Sequence, residues 1–290
     1  MRYLAALLLL LAVGPTAAAS DCTRTSVGLT PLTALGTRTY HGYRGGLYPG
    51  GRNVPSHAYL AKGLAAAKGV HGKVVLLTVG MSNTNLESQA FAQLARGRTP
   101  VTIVNGAQGG QDALAIEDAN APYWAYVEGQ LTRAGATDAD VQAVWLKEAI
   151  AGESEPFPQD AQRLRAALRR IVADLAAKFP SLKLVYVSSR IYAGYATTRL
   201  NPEPAAYDSG FAVKWLVGDR VDGKLGGPWI GWGPYLWADG TSPRKDGLTW
   251  SCDELRDDGT HPSPAGAQKV ARLLLDFFET SPTTRTWFGG

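Results

Sequence analysis

Residues 74–83 read VVLLTVGMSN, an apolar run from Val74 to Val79 that stops at Gly80 and opens onto Met81-Ser82-Asn83. A run of that length without polar alternation is what a strand buried on both faces of a parallel sheet requires. The pattern recurs at Val101 to Val104, before Asn105-Gly106, at Val141 to Leu146, and at Leu184 to Val187 (LVYV). Between the last two, Asp160 to Lys178 predicts a helix. Its Leu164, Leu168, Ile171, Val172 and Leu175 share one face, and Pro180 ends it. Strands alternating with helical segments predict βαβ units, a parallel sheet and an α/β fold.

Outside that alternation, a short helix is predicted from His57 to Lys68, after a turn-rich region containing GGLYPGG at 45–51. This lacks the GK[ST] ending of a phosphate-binding loop and reads as a surface loop. A C-terminal helix is predicted with Ser263 as N-cap, Pro264 in its first turn and an apolar stripe of Val270, Leu273, Leu274, Phe277 and Phe278. Asp222 to Trp250, rich in Gly, Pro and Trp, reads as one long structured loop.

The N-terminus has a different character. Arg2, the apolar stretch Leu4 to Val13 and Ala17-Ala18-Ala19 before Ser20 predict a secretory signal peptide over residues 1–19. The alternative is an uncleaved N-terminal anchor. The apolar stretch falls short of the roughly 20 residues that a spanning helix needs. Residues 20–290 are then expected to form a single domain, with a loop-rich extension over 20–72 and a core over 73–278. The whole sequence has 29 Lys and Arg against 25 Asp and Glu. Without Arg2 that is 28 against 25, a net +3 with no dense basic block, so no nucleic-acid partner is expected. Cys22 and Cys252, an even pair in an exported chain, predict one disulfide, with two free thiols as the alternative. No CxxC or HExxH is present, and His41, His57, His71 and His261 are scattered, so neither a metal site nor a cofactor is expected.

Active sites of open parallel sheets lie at the carboxyl ends of the strands. Three polar, turn-rich segments stand at such ends: Gly80-Met81-Ser82-Asn83, the run from Asn105 to Gly110, and Trp145-Leu146-Lys147-Glu148. A fourth, Asp258-Gly259-Thr260-His261, precedes the last helix. Each suits one part of acyl transfer. Ser82 is a weak nucleophile until a base takes its proton, and His261 is of the right type to do so. Asp258, three residues earlier, can fix the imidazole tautomer. Backbone N–H groups at Gly110 and Ser82 can face an oxyanion. Taken singly, each segment reads as an ordinary turn; their order and placement carry the argument. The GxSxG elbow is absent.

These four segments resemble the ordered blocks of the SGNH (GDSL-type) hydrolase superfamily, over about residues 73 to 278. The C-terminal stretch DDGTHPSPAGAQKVARLLLDFF is the most specific match. The resemblance implies a three-layer α/β/α sandwich of flavodoxin-like type and metal-free ester hydrolysis. It also implies Ser82 as nucleophile, Asp258 and His261 as its partners, and Gly110 in the oxyanion hole. Two positions depart from the pattern. Met81 replaces the Asp before the serine, which removes no catalytic atom. Lys147 replaces the Asn whose side chain completes the oxyanion hole. Its ammonium is expected either to take the place of that amide or to face solvent or a nearby carboxylate.

Trp145, Tyr192, Tyr195, Trp229, Trp232, Tyr235, Trp237 and Trp250 fall in segments near the expected site. They suit stacking on sugar rings, with core packing as the alternative. The expectation is a secreted, monomeric serine esterase acting on a small-molecule or carbohydrate ester, acetyl esters included. A non-catalytic carbohydrate-binding protein derived from an esterase, favoured by Lys147, and an acyltransferase are the rivals.

Overall fold

The computed structural model describes residues 20–152 and 154–289. The expected signal peptide lies outside the described residues. Five parallel strands form the centre: β1 (Val75–Gly80), β2 (Thr102–Asn105), β3 (Val141–Lys147), β4 (Leu184–Val187) and β5 (Trp229–Trp232). Their order is β2-β1-β3-β4-β5, with every neighbouring pair parallel. This is the flavodoxin-like doubly wound order, and its direction reverses between β1 and β3, the point at which sheets of this kind bind their ligands. All residues of β1 and β3 are buried, as continuous apolar runs between two helical layers should be.

Helices cover both faces. On one lie α1 (His57–Lys68), α2 (Ser82–Leu94) and α6 (Pro264–Thr280), with α2 packed along α6 and α1 against β5. On the other, α4 (Gln159–Lys178) packs along α5 (Ala205–Val221), and α3 (Pro122–Arg133) adjoins β2. The result is a three-layer α/β/α sandwich. Leu164, Leu168, Ile171, Val172 and Leu175 of α4 are wholly buried, each contributing about 1.5–3 kcal/mol of hydrophobic stabilisation. Ser263 caps α6 by accepting from the Gly266 N–H, with Pro264 in the first turn. No helix among the described residues is long and apolar enough to cross a membrane.

Two elements differ from the sequence expectation. β5, with sequence WIGW, lies inside the segment read as one long loop; it is a four-residue edge strand interrupted by Gly231. Helix α5 has no counterpart in that reading, because residues on all its sides are buried and no 3.6-residue stripe results. In the N-terminal region a short helix (Leu32–Leu35) and a two-residue hairpin (Thr39–Tyr40 with Tyr43–Arg44) precede α1. Residues 20–28 strap over the loops that follow β4 and β5: Asp21 N–H donates to the Tyr195 carbonyl, and Val27 and Gly28 N–H donate to Asp239. Cys22 and Cys252 are disulfide-bonded, their Cα atoms 5.4 Å apart.

Candidate active site

β1 ends at Gly80, and α2 begins two residues later at Ser82. A side chain at position 80 would collide with the Lys147 carbonyl and the Thr84 hydroxyl, so glycine alone lets the chain turn beside β3. The turn leaves Ser82 at the first position of α2, half-buried at the reversal point of the sheet. Its backbone N–H belongs to the set at a helix N-terminus that has no carbonyl one turn earlier to accept it. That end of the helix also carries partial positive charge.

Asp258 and His261 arrive from the opposite end of the sequence. An isolated bridge between Leu255 and Pro262 closes the loop between them, and the Arg256 N–H donates to the His261 carbonyl at 2.8 Å. Gly259 turns this loop at φ +63°, a left-handed conformation that favours glycine, and a Cβ there would strike the Tyr195 carbonyl. His261 Nε2 lies 2.8 Å from Ser82 Oγ, and Nδ1 lies 2.5 Å from Asp258 Oδ2. The other carboxylate oxygen of Asp258 accepts from the backbone N–H of Thr260 and of His261, at 2.8 and 2.9 Å. Burial opposes ionisation of Asp258, but those two amides and the imidazole outweigh it and hold the carboxyl below its ordinary range.

The glycine segment after β2 runs beside the serine. The Gln108 N–H donates to the Gly80 carbonyl at 2.9 Å, and a Cβ built on Gly109 would stand 3.9 Å from Ser82 Cβ. Gly110 follows, exposed. Asn105 anchors the segment: its amide donates to Asn85 Oδ1 at 2.7 Å, and its Oδ1 accepts from the Ala107 N–H.

Lys147 is placed differently from the expectation that its ammonium stands in for the missing Asn amide. It is the last residue of β3, in register with Gly80. Its Nζ lies 2.6 and 2.7 Å from the two carboxylate oxygens of Glu87 on α2, and the two side chains are 2% and 0% exposed. The pairing with a carboxylate, the other placement expected for Lys147, has a physical cause: with both partners buried, neither charge tolerates separation from the other. Burial pushes the Glu87 carboxyl up and the Lys147 ammonium down, and their mutual attraction opposes both shifts.

The aromatic side chains named above belong to the core. Trp145, Tyr192, Tyr195, Trp237 and Trp250 are fully buried, and Trp229, Trp232 and Tyr235 are at most 6% exposed. The indole N–H groups donate internally, for example Trp145 to Ser188, Trp232 to the Leu47 carbonyl and Trp250 to the Leu236 carbonyl. None of these rings offers a face for stacking on a sugar.

Glu87 escaped the sequence reading, and Asn83 entered it only as part of the segment around Ser82, with no role. The available signal lay in the face of α2 that bears Asn83, Thr84, Glu87, Ser88 and Phe91. These residues recur at helical spacing and are all buried, so polar groups occupy positions where an ordinary helix carries apolar ones.

No protein-family model matches this chain, and no curated protein does. Solved structures with a similar fold include Axe2, an acetylxylan esterase from Geobacillus stearothermophilus (16% identity over 73% of this chain and 97% of that one, TM-score 0.43). Another is a Slackia heliotrinireducens protein provisionally assigned as an SGNH hydrolase (19%, 71% and 99%, TM-score 0.41). The periplasmic domain of a lipopolysaccharide acetyltransferase from Salmonella ser. Paratyphi A is a third (12%, 77% and 88%, TM-score 0.41). At such identities and scores these likenesses carry no argument about the chemistry of this chain.

Proposed function

We propose that the protein is a secreted serine esterase of the SGNH hydrolase kind, with Ser82 as nucleophile, His261 as base and then acid, and Asp258 as the carboxylate that orients the imidazole. The observation that carries the reading is the continuous chain from Ser82 Oγ to His261 Nε2 and from His261 Nδ1 to Asp258, at 2.8 and 2.5 Å. Ser82 and the Asp258–His261 loop, 179 residues apart along the chain, meet in the geometry of nucleophile, base and orienting group.

In this reading His261 Nε2 takes the Ser82 proton as Oγ attacks the ester carbonyl. The oxyanion is met by the Ser82 N–H at the α2 N-terminus and by a backbone N–H of the Gly109-Gly110 turn. His261 then gives its proton to the departing alcohol, leaving an acyl-Ser82 that water cleaves with the same base. Lys147 takes no direct part, because its ammonium is committed to Glu87. The assembled Ser-His-Asp chain favours an enzyme over a binding protein. The buried aromatics remove the ground for a sugar-stacking cleft, so the substrate is taken as a carboxylic ester. The Cys22–Cys252 bridge suits an oxidising compartment, which supports export. One buried apolar cluster running from Leu32 to Phe288 supports treating residues 20–290 as one domain.

A fluorophosphonate probe tests the reading. The wild-type protein should be labelled and hydrolyse a short aryl ester, and Ser82→Ala should do neither. Wild-type turnover by Ser82→Ala would remove Ser82 from the chemistry.

A further inference from the structure

Asp258 and His261 share one loop, so their mutual hydrogen bonds orient the imidazole within that loop. They do not set where the loop stands relative to Ser82, which lies 179 residues earlier. A proton transfer between the two groups needs that distance fixed as well. The residue after the nucleophile makes the connection. Asn83 is 4% exposed and donates Nδ2 to the carbonyl of Thr260 at 3.0 Å, and Thr260 directly precedes His261. On its other side the same loop is held where the Thr260 hydroxyl donates to the Leu200 carbonyl, at 3.2 Å. Thr84, one residue further along α2, donates its hydroxyl to the Lys147 carbonyl at 2.7 Å. Three consecutive side chains in the first turn of α2 therefore face the base, the base's loop and the end of β3.

We infer that Asn83 is a positioning residue: its amide, tied to the Thr260 carbonyl, sets the separation and aim of His261 relative to Ser82. The inference rests on the serine-esterase reading above. Its physical ground is that Ser82 and Asn83 are adjacent on a rigid helix end, so a bond from Asn83 to the peptide preceding His261 closes a short ring around the Ser82–His261 contact. Without the bond the loop keeps its internal geometry but can drift as a unit. A misplacement of about 1 Å at reacting groups lowers rates on the order of 100-fold.

The test compares Asn83→Ala and Asn83→Leu with the wild type on a short aryl ester, with the leucine variant serving if alanine prevents folding. The expected result is a 10- to 100-fold fall in kcat with KM within about twofold, and a matching fall in the rate of fluorophosphonate labelling of Ser82. Tyr186→Phe serves as the structural control. It removes a buried hydroxyl that donates to the Thr283 carbonyl at 2.9 Å and should lose stability with kcat unchanged. If the Asn83 variants keep wild-type kcat and labelling rate while Ser82→Ala is inactive, the positioning role is overturned and the esterase reading stands. If Ser82→Ala is itself active, the esterase reading falls first. An equal fall in kcat for Tyr186→Phe would assign the Asn83 effect to lost stability and overturn the proposal too.

Discussion

Removing the ammonium of Lys147 leaves the Glu87 carboxylate, with no exposed surface, without the cation that contacts both its oxygens at the junction of β3 and α2. Breaking a buried pair from one side costs about 3–5 kcal/mol, because the remaining charge keeps its desolvation penalty and loses its partner. At roughly 2–4 °C per kcal/mol for a protein of this size, Lys147→Ala should lower Tm by roughly 6–20 °C. Lys147→Asn should behave similarly, since a short amide on β3 does not neutralise Glu87. Replacing both partners, as in Lys147→Met with Glu87→Leu, removes the penalty with the attraction and should restore most of the lost stability. Thermal unfolding of the wild type, Lys147→Met, Glu87→Leu and the double variant gives the coupling directly. The same set separates stability from chemistry. A folded double variant with kcat near wild type agrees with a lysine that acts only on Glu87, whereas an oxyanion donor would cost tenfold or more, on the order of 1.4 kcal/mol in the barrier. An unchanged Tm in Lys147→Ala would refute the reasoning, because a buried carboxylate should not lose the ammonium that contacts both its oxygens without cost.

Asp258→Asn should reduce kcat less than Ser82→Ala, since it spoils the imidazole tautomer but leaves nucleophile and base; equal residual rates on an aryl ester would count against the assigned roles. Replacing Cys22 and Cys252 together by serine frees a loop spanning 230 residues, which the chain-entropy model values at about 5 kcal/mol; a Tm within 2 °C of wild type would show that the bridge contributes little. Burial pushes the carboxyls of Glu203 and Asp208 up to about 7, with Glu203 adding to the shift at Asp208. Both are then protonated in the folded protein at a pH where the unfolded chain has lost its protons, so stability should fall as pH rises from about 4 through 7 and level off above. Asp208→Asn should flatten that slope in Tm measured against pH, and parallel slopes for the two proteins would refute it.

The parallel sheet was legible because both-face burial leaves an unmistakable trace, and Val74–Val79, Val101–Val104 and Leu184–Val187 each fall within a residue of an observed strand. The segments at the strand ends were legible for a related reason. Chemistry at the carboxyl edge needs polar turns immediately after apolar runs, and the fold has few places to put them. What the sequence hid depends on neighbours that are distant along the chain. The WIGW strand gains its identity only by pairing with β4, where Tyr186 stands opposite Gly231. Helix α5 loses its periodicity because its surroundings cover every side. The aromatic residues of the long loop looked available because composition records ring faces but not what covers them. Lys147 is the clearest instance. Its position beside the site was readable, but the direction of its charge was set by Glu87, sixty positions earlier on a helix whose buried face is polar. A polar residue at a core position of one element therefore implies a partner at a core position of another. Read that way, Asn83, Thr84 and Glu87 on one stripe of α2 would have asked for three partners, and the structure supplies the Thr260 carbonyl, the Lys147 carbonyl and the Lys147 ammonium in turn.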